Sequence, residues 1–481
     1  MKTAIPLIFM ALLLLFCCSP GNSSAGYHHM GESDTPKFLQ AYPEKAGTKL
    51  DNCVLCHRGG SYSQANGKKV ELGSCQWCHH TFGYDGKGEI NATLNHFGKE
   101  YRANGRNVAA FRAIEQHDSD GDSYSNFNEI VAVRYPGDPK DDLAKVVAPY
   151  RIFTRKQLQS MPQHSQLLLM NTAKAVDSYA EFSGVAVEHL LGKAGMDPSA
   201  TKITVYSPDG YAQGHPLESD SSSDPFVKGV YPAATFYYNT VADRDKTPGG
   251  WCDYRSPSTK GLRHGAAIHV HDGLRLLLAL RSEGKDLQPG SLDRANALER
   301  GSQGPYCIVA PQKTAGPPDQ PSTRSRNDII WPYDFNLDHN GGSSTKCATV
   351  IKVEPLPAGT TDIDVTEAGW TYIEQKKIII YGALQGPKLV APANGASGIS
   401  WNPARFSWEK NPGIEAGEVT GYRLEYTKDD PSQARWESVS ISQIQTSLVL
   451  QPNTTYYWRV RDQDRNGGST VSPVCRFTTG N

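Results

Sequence analysis

The chain has 481 residues, a formal net charge of −1 and ten cysteines. This length gives room for about three domains, and the balanced charge provides no bulk electrostatic attraction for nucleic acid. Function must therefore be inferred from local motifs.

The first residues have the pattern of an export signal. A Met-Lys start precedes an apolar run over residues 5–16, which is too short to span a bilayer and has the length of a signal-peptide core. We predict a leader over residues 1–25 that is either cleaved after Ala25 or lipidated at Cys17 or Cys18. Since no later segment is apolar for long enough to cross a membrane, we expect an exported protein in the periplasm or at the outer surface.

Two CxxCH pentapeptides follow the leader. In each, two thiols are spaced to bond the vinyl groups of one haem, and the adjoining imidazole can bind its iron. We therefore predict two covalent c-type haems, the first held by Cys53, Cys56 and His57 and the second by Cys75, Cys78 and His79. A four-cysteine zinc site also fits the spacing, but zinc would leave both histidines without a role.

The sixth iron ligands must come from elsewhere in the predicted haem domain, residues 26–148. Seven of the fourteen histidines lie between residues 28 and 117, which favours coordination by two imidazoles. Candidate distal ligands are His28, His29, His80 and His96, with His117 and Met30 as further alternatives. Because this segment is polar and broken into short pieces, we expect a mostly α or irregular domain whose core depends on the haem faces.

A calcium-loop pattern lies at residues 118–129. Oxygen-bearing groups recur at loop positions 1, 3, 5, 7, 9 and 12, which are Asp118, Asp120, Asp122, Tyr124 through its carbonyl, Asn126 and Glu129. Position 6 is Ser123 instead of the usual glycine, and the arrangement resembles dockerin and thrombospondin type 3 loops. We predict one structural calcium ion here. The alternative is a solvated acidic turn, in which the carboxylates would repel one another.

Residues 149–385 have ordinary globular composition and predict an α+β domain. Amphipathic helices are predicted at Val187–Leu191 and Leu274–Leu280. Strands are predicted at Ile203–Tyr206, Ile308–Val309, Thr349–Val353 and Lys377–Tyr381.

Three histidines and four cysteines outside the predicted haem domain each allow more than one role. His264, His269 and His271 form an HxxxxHxH cluster that either binds a metal or simply flanks a turn. The cysteines outside the leader and the haem motifs are Cys252, Cys307, Cys347 and Cys475. In an exported protein these four could form disulfides in any of three pairings.

The segment FSGVAVEHLLGKAGMDPSATKITVYSPDGYAQGHPLE at residues 182–218 resembles the molybdopterin-binding domain of the sulfite oxidase superfamily. That superfamily ligates molybdenum through a cysteine ahead of this segment, where this chain has Leu167-Leu-Leu-Met170. The resemblance therefore implies a sulfite-oxidase-like fold in which we expect no molybdopterin.

A wider resemblance covers residues 27–385. The segment Tyr27-His-His-Met-Gly-Glu32, the paired haem motifs, the calcium loop, Pro311-Gln-Lys313 and Ile330-Trp-Pro-Tyr-Asp334 together resemble the bacterial GEGP motif-containing dihaem proteins. Where the name of that family places Gly-Glu-Gly-Pro, this chain has Ser302-Gln-Gly-Pro305. The resemblance implies an exported electron-transfer protein.

The C-terminal residues 386–481 predict a β-sandwich. Short segments alternate apolar and polar side chains between Pro, Gly and Asn turns. Trp408 and the run Leu450-Gln-Pro-Asn-Thr-Thr-Tyr-Tyr-Trp-Arg-Val460 resemble a fibronectin type III module. We expect this module either to dock the protein to a partner or the cell surface, or to act as a spacer.

These features together predict an exported dihaem cytochrome that transfers electrons between redox proteins or to extracellular acceptors. No set of nucleophile, base and orienting residue is evident, so we expect a carrier more than an enzyme. One alternative is an oxidoreductase, dependent on molybdenum or another metal, that passes electrons to its own haems. The other is a surface binding or adhesion protein whose haems stabilise the fold.

Overall fold

The computed structural model describes residues 33–46, 48–51, 53–63, 69–71, 93–141, 143, 146–172, 177–207, 211–221, 224–231, 235–238, 252–290, 303–314, 316, 318, 338–363, 372–373, 375–411, 418–431 and 436–481. The predicted leader and the whole second CxxCH motif, with Cys75, Cys78 and His79, lie outside these residues. So do the candidate ligands His28, His29, Met30 and His80.

Short helices dominate the described part of the N-terminal unit. They are α1 (Asp34–Ala41), α2 (Val54–His57), α3 (His96–Ala103), α4 (Val108–Ala113) and α5 (Asn126–Val131). Strand β1 (Ser61–Ser63) pairs antiparallel with strand β2 (Lys69–Glu71). Asn95, Asn107 and Ser125 begin the last three helices, each accepting a hydrogen bond from a backbone N–H of the first turn.

A side-chain core holds these helices together, although the polar composition of the segment predicts little apolar packing of its own; the contribution of the haem faces stays a prediction. Thirteen apolar residues are buried in one cluster. Tyr101 stacks on Phe111 with ring centroids 3.9 Å apart, and Phe38 meets Phe111 edge-on at 5.4 Å. Sequence periodicity did not reveal this core because its residues are distributed over several short helices.

Two larger β-sheets and two short helices form most of the described part of the central unit. In chain order the strands are β3 (Val146–Val147), β4 (Tyr150–Thr154), β5 (His164–Met170), β6 (Asp177–Ala186), β7 (Lys202–Tyr206), β8 (Ala212–Pro216), β9 (Thr235–Tyr237), β10 (Cys252–Asp253), β11 (Ala267–His269), β12 (Leu277–Ser282), β13 (Lys285–Asp286), β14 (Cys307–Val309), β15 (Val350–Glu354), β16 (Thr360–Thr361) and β17 (Lys377–Gly382). The helices are α6 (Arg155–Ser160) and α7 (Val187–Ala194).

One sheet has the order β10-β6-β12-β13, with β5 on β6 and β14 on β12, and the other has the order β4-β17-β15-β7-β8. A single apolar cluster fills the space between them. The strands β3 and β16 pair in parallel, so the last residues of the predicted haem domain contact a strand from the predicted central domain.

The predicted helix at residue 187 and all four predicted central strands are confirmed. The predicted helix Leu274–Leu280 is wrong, because residues 277–282 form strand β12. This strand lies inside the sheet, and all four of its residues from Leu277 to Leu280 are buried. A strand buried on both faces is a continuous apolar run, which periodicity cannot separate from a buried helix. The central unit is therefore mostly β.

The C-terminal unit is a β-sandwich, as predicted. Its strands are β18 (Lys388–Ala391), β19 (Ala396–Ile399), β20 (Ala404–Glu409), β21 (Val419–Thr427), β22 (Glu437–Ile441), β23 (Gln445–Leu448), β24 (Thr455–Asp464) and β25 (Cys475–Thr479). The sheet β18-β20-β23 faces the sheet β19-β25-β24-β21-β22 across a core that includes Trp408 and Trp458. None of the helices in the described part of the chain is long and apolar enough to span a membrane.

A buried ion cluster joins the central unit to the sandwich. Arg151 on β4 contacts Asp462 at 2.5 Å and Asp464 at 3.3 Å, both on β24. The Arg151 side chain is 3% exposed, and it also donates to the hydroxyl of Thr470 at 2.9 Å. Beside this cluster, Tyr150 and Ser469 exchange two backbone hydrogen bonds. The sandwich is therefore attached through a buried polar contact.

Candidate functional sites

The first CxxCH motif lies on one helical turn. Cys53 precedes α2, and Cys56 and His57 end it, with the Cys56 N–H bonded to the Cys53 carbonyl at 3.1 Å. Because residues three apart lie on one side of a helix, the two thiols are brought to the same face. Both cysteines are half-buried, whereas His57 is only 6% exposed.

The His57 imidazole is held in a defined orientation. Its Nδ1 lies 2.9 Å from the Thr93 hydroxyl, and Thr93 is fully buried. Burial lowers the pKa of His57 to about 4, an effect that hydrogen bonding to the Thr93 backbone opposes. The imidazole is therefore neutral near pH 7, which is the form that can ligate a metal.

Asn95 fixes the backbone that carries these residues. Its side-chain amide donates to the carbonyls of Leu55 at 3.0 Å and Arg58 at 2.8 Å, and its backbone N–H donates to the Cys56 carbonyl at 2.9 Å. Gly98 packs against the same turn, where a Cβ would meet the Cys56 carbonyl oxygen at 2.5 Å. The motif is thus immobilised by α3 and the residues before it.

Cys53, Cys56 and His57 do not make a three-ligand metal site by themselves, and the four-cysteine zinc alternative also requires Cys75 and Cys78, which lie outside the described residues. Within the described residues, the only group of three His, Cys, Asp or Glu ligand atoms close enough to share an ion is in the acidic loop. The two sulfurs and the His57 imidazole therefore do not converge on one point. Haem attachment needs no such convergence, because the sulfurs bond the porphyrin edge and the imidazole bonds its centre.

Of the candidate sixth ligands of the iron, the described residues include only His96 and His117, and both are exposed. His96 begins α3 and is exposed, whereas Gly98, two residues further, faces Cys56. His117 is exposed and bonds Glu100 at 3.0 Å. The distal ligands therefore stay a prediction.

The acidic loop is folded as a compact turn. Carboxylate oxygens of Asp118, Asp120 and Asp122 lie within 4.8 Å of one another. The Asp118 carboxylate accepts backbone N–H groups from Gly121 at 2.7 Å and Ser123 at 2.9 Å. Ser123 has a φ of 82°, the left-handed conformation that explains the usual glycine at this position.

Two carboxylates of this loop are buried without a protein partner. Both oxygens of Glu129, which is fully buried, and both of Asp120 have no hydrogen-bond partner within the described residues. Burial, followed by repulsion from neighbouring aspartates, raises the pKa of Glu129 to about 9 and that of Asp120 to about 7. Orphaned carboxylates are costly unless a cation compensates them, so the residues present fit a divalent ion.

Two other predicted calcium ligands, Asn126 and Tyr124, have hydrogen bonds within the protein. The Asn126 side chain is fully buried and bonds the protein, donating to the Ile114 carbonyl at 2.7 Å and accepting from the Ser119 N–H at 3.3 Å. The Tyr124 N–H donates to Asp122 at 2.9 Å. Position 9 of such loops often contacts the ion through water. This is compatible with Asn126, whose side-chain amide is already hydrogen-bonded to the protein.

The remaining candidate groups of the central unit do not assemble into a site. His264, His269 and His271 are exposed and do not converge on a metal position in the described part of the chain. Cys475 begins β25 of the sandwich, whereas Cys252 and Cys307 begin β10 and β14 of the central unit. Burial raises the pKa of the Cys307 thiol to about 12, which makes it a poor nucleophile.

The residues at the expected positions of two family motifs have structural roles. Leu168 and Leu169, ahead of the segment that resembles the molybdopterin domain, are buried in the core on β5. Gly304 exchanges backbone hydrogen bonds with Gln288 and Gly290, and a side chain there would clash with the Gln288 carbonyl. This close approach explains why glycine stands at residue 304.

Comparisons with known proteins concern the sandwich. Residues 392–481 match the family of Rha78A-like N-terminal immunoglobulin domains. Human contactin-2 is 28% identical over 109 residues, which are 22% of this chain and only 10% of contactin-2. The 6th fibronectin type III domain of human fibronectin type III domain containing protein 3 is 22% identical, covers 20% of this chain and 84% of that structure, and has a TM-score of 0.16. The chicken CNTN1 FN1-FN3 domains are 25% identical, cover 22% of this chain and 36% of theirs, and have a TM-score of 0.16.

The family match and the observed strand order identify the C-terminal unit as a sandwich of the immunoglobulin and fibronectin type. This confirms that part of the sequence-based prediction. The predicted cytochrome, GEGP and sulfite-oxidase-like assignments stay predictions.

Proposed function

We propose that this protein is an exported electron carrier with two covalent c-type haems, one on Cys53, Cys56 and His57 and the other on Cys75, Cys78 and His79. One observation supports it most strongly: a neutral, buried imidazole follows two half-buried thiols on one clamped helical turn. When bound, haem supplies a one-electron redox centre. The protein supplies the thioether bonds, the proximal ligand and an apolar wall from the adjacent core. Redox proteins or extracellular acceptors are its proposed partners.

We further propose that Asp118, Asp120, Asp122 and Glu129 hold a structural calcium ion in the same unit. Hard oxygen donors suit calcium, and the orphaned oxygens of Asp120 and Glu129 provide the reason for an ion. The ion would fix the start of α5 to the loop, since Glu129 belongs to that helix.

The haem proposal predicts the loss of one chromophore from a defined variant. The double substitution Cys53→Ser with Cys56→Ser removes both thioether sulfurs of the first motif, so we expect half of the covalent haem to disappear from purified full-length protein. Intact mass and the pyridine haemochrome spectrum measure this loss. Cys475→Ser, in the sandwich, is the control and should retain both haems. Colourless wild-type protein, or zinc in place of iron, would contradict the proposal.

A second candidate function is surface binding, with haems that mainly stabilise the fold. The immunoglobulin-type match over residues 392–481 favours it, because such sandwiches commonly present binding surfaces. Stopped-flow reduction and reoxidation by soluble electron donors and acceptors separates the two functions. Fast exchange supports the carrier, whereas haems that exchange electrons slowly or not at all support the binding protein.

A further inference from the structure

The proximal imidazole of the first motif has a partner that sequence inspection does not identify. Thr93 lies 36 residues beyond His57 in the chain, yet its hydroxyl is 2.9 Å from Nδ1. Both residues are buried, so water does not compete effectively for this contact.

The Thr93 contact belongs to a larger clamp. Asn95, two residues further on, is fully buried and bonds backbone groups of Leu55, Cys56 and Arg58. Arg58, the next residue after His57, also forms a 2.7 Å ion pair with Asp138. The backbone that carries His57 is therefore held by several contacts, and the remaining freedom of the imidazole is rotation about its side-chain bonds. The Thr93 hydroxyl restricts that rotation.

We infer that the Thr93 hydroxyl is a positioning group for the proximal ligand: it accepts the Nδ1 proton of His57, sets the tautomer with Nε2 as the basic nitrogen, and tunes the reduction potential of the first haem. This inference rests on the proposed haem attachment. A hydrogen bond from the non-ligating nitrogen of a metal-bound histidine fixes the ring and raises its basicity. A more basic axial ligand favours ferric iron, so the hydroxyl lowers the potential.

The test is a redox titration of the full-length, haem-loaded protein. In Thr93→Val, which keeps the side-chain shape and removes the hydroxyl, we expect the midpoint potential of one haem to shift to a more positive value while the other stays unchanged. Thr93→Ser keeps the hydroxyl and should retain the wild-type potential. Thr48→Val is the matched control in the same unit. The Thr48 hydroxyl donates to the Lys45 carbonyl at 2.7 Å and accepts from the Leu50 N–H at 3.3 Å, so its partners do not include His57.

If Thr93→Val does not fold, Thr93→Ala compared with Thr93→Ser isolates the hydroxyl, since both lack the methyl group. A positive shift in the alanine variant relative to the serine variant supports the inference. Equal potentials, in either comparison, would overturn it. Wild-type protein without covalent haem would instead refute the proposed function, so the two failures are distinguishable.

Solvent exchange of the His57 ring proton is a readout independent of potential. The His57 Nδ1–H resonance of the reduced protein should be protected from solvent exchange in the serine variant and lose protection in the valine variant.

Discussion

Arg151→Met is expected to lower the stability of the sandwich unit by about 3–5 kcal/mol, the usual cost of leaving buried charges without their partner. Asp462 is fully buried and Asp464 nearly so. Asp462 would still accept hydrogen bonds from Thr470, but its negative charge would no longer be compensated. Because several units unfold in this chain, the relevant quantity is the urea transition reported by Trp408 and Trp458 in the sandwich core.

Two further variants test whether the loss of stability comes from the uncompensated aspartate charges. Arg405→Met removes an exposed arginine from the same sandwich and should change the transition by less than about 0.5 kcal/mol. Adding Asp462→Asn and Asp464→Asn to Arg151→Met removes the uncompensated charges and should restore part of the lost stability. Hydrogen exchange of residues 462–470 locates the effect. If Arg151→Met unfolds at the wild-type urea concentration, the ion cluster does not hold the sandwich on the central unit.

Calcium removal is expected to destabilise the N-terminal unit, and more so at higher pH. At a free calcium concentration 100 times the dissociation constant, a single site contributes about 2.7 kcal/mol. Chelation should therefore lower the unfolding temperature at pH 8, measured by circular dichroism of the full-length protein with and without calcium. Glu129→Gln removes a carboxylate from the site and should abolish most of the calcium increment. Glu44→Gln changes an exposed carboxylate in the same unit and should leave the increment intact.

The pH dependence of the ion-free protein has a defined sign. The folded-state pKa of Glu129 is raised to about 9 and that of Asp120 to about 7, both above their ordinary values of 4.5 and 3.8. The folded chain therefore binds more protons than the unfolded chain between about pH 4 and pH 9, so stability falls as the pH rises through this window. Calcium should reverse the trend, because it binds the deprotonated carboxylates. Ion-free protein that gains stability between pH 5 and pH 8 would contradict this account of the loop.

In both candidate sites the sequence predicts the ligand residues but not the residues that support them. Cys53, Cys56 and His57, like Asp118 to Glu129, are close along the chain, so one helical turn or one loop is enough to bring them together. Their supporting residues are distant. Thr93 and Asn95 follow His57 by 36 and 38 residues, and nothing in their local sequence marks them as partners of the motif. The engaged amide of Asn126 was likewise not apparent from its position in the loop.

Some secondary-structure elements are likewise predicted correctly from the sequence and others are not. Alternating side chains predicted the sandwich correctly, because one face of each strand is buried and the other is solvated. The pattern of Leu274–Leu280 predicts a helix where the chain forms strand β12, since a strand enclosed by neighbours has no solvated face to reveal its period. The core of the N-terminal unit was missed because Phe38, Phe97 and Phe111 come from three helices that are separate in sequence.

Local spacing alone was sufficient to single out the CxxCH pentapeptides, the acidic loop and the alternating strands, because each depends on residues within one turn, one loop or one strand. Only the folded chain revealed the contacts between distant residues, of which Arg151 with Asp462, 311 residues apart, is the clearest case. Such a pair carries no periodic or spacing signal, and its strength comes from the exclusion of water that packing of the two units creates.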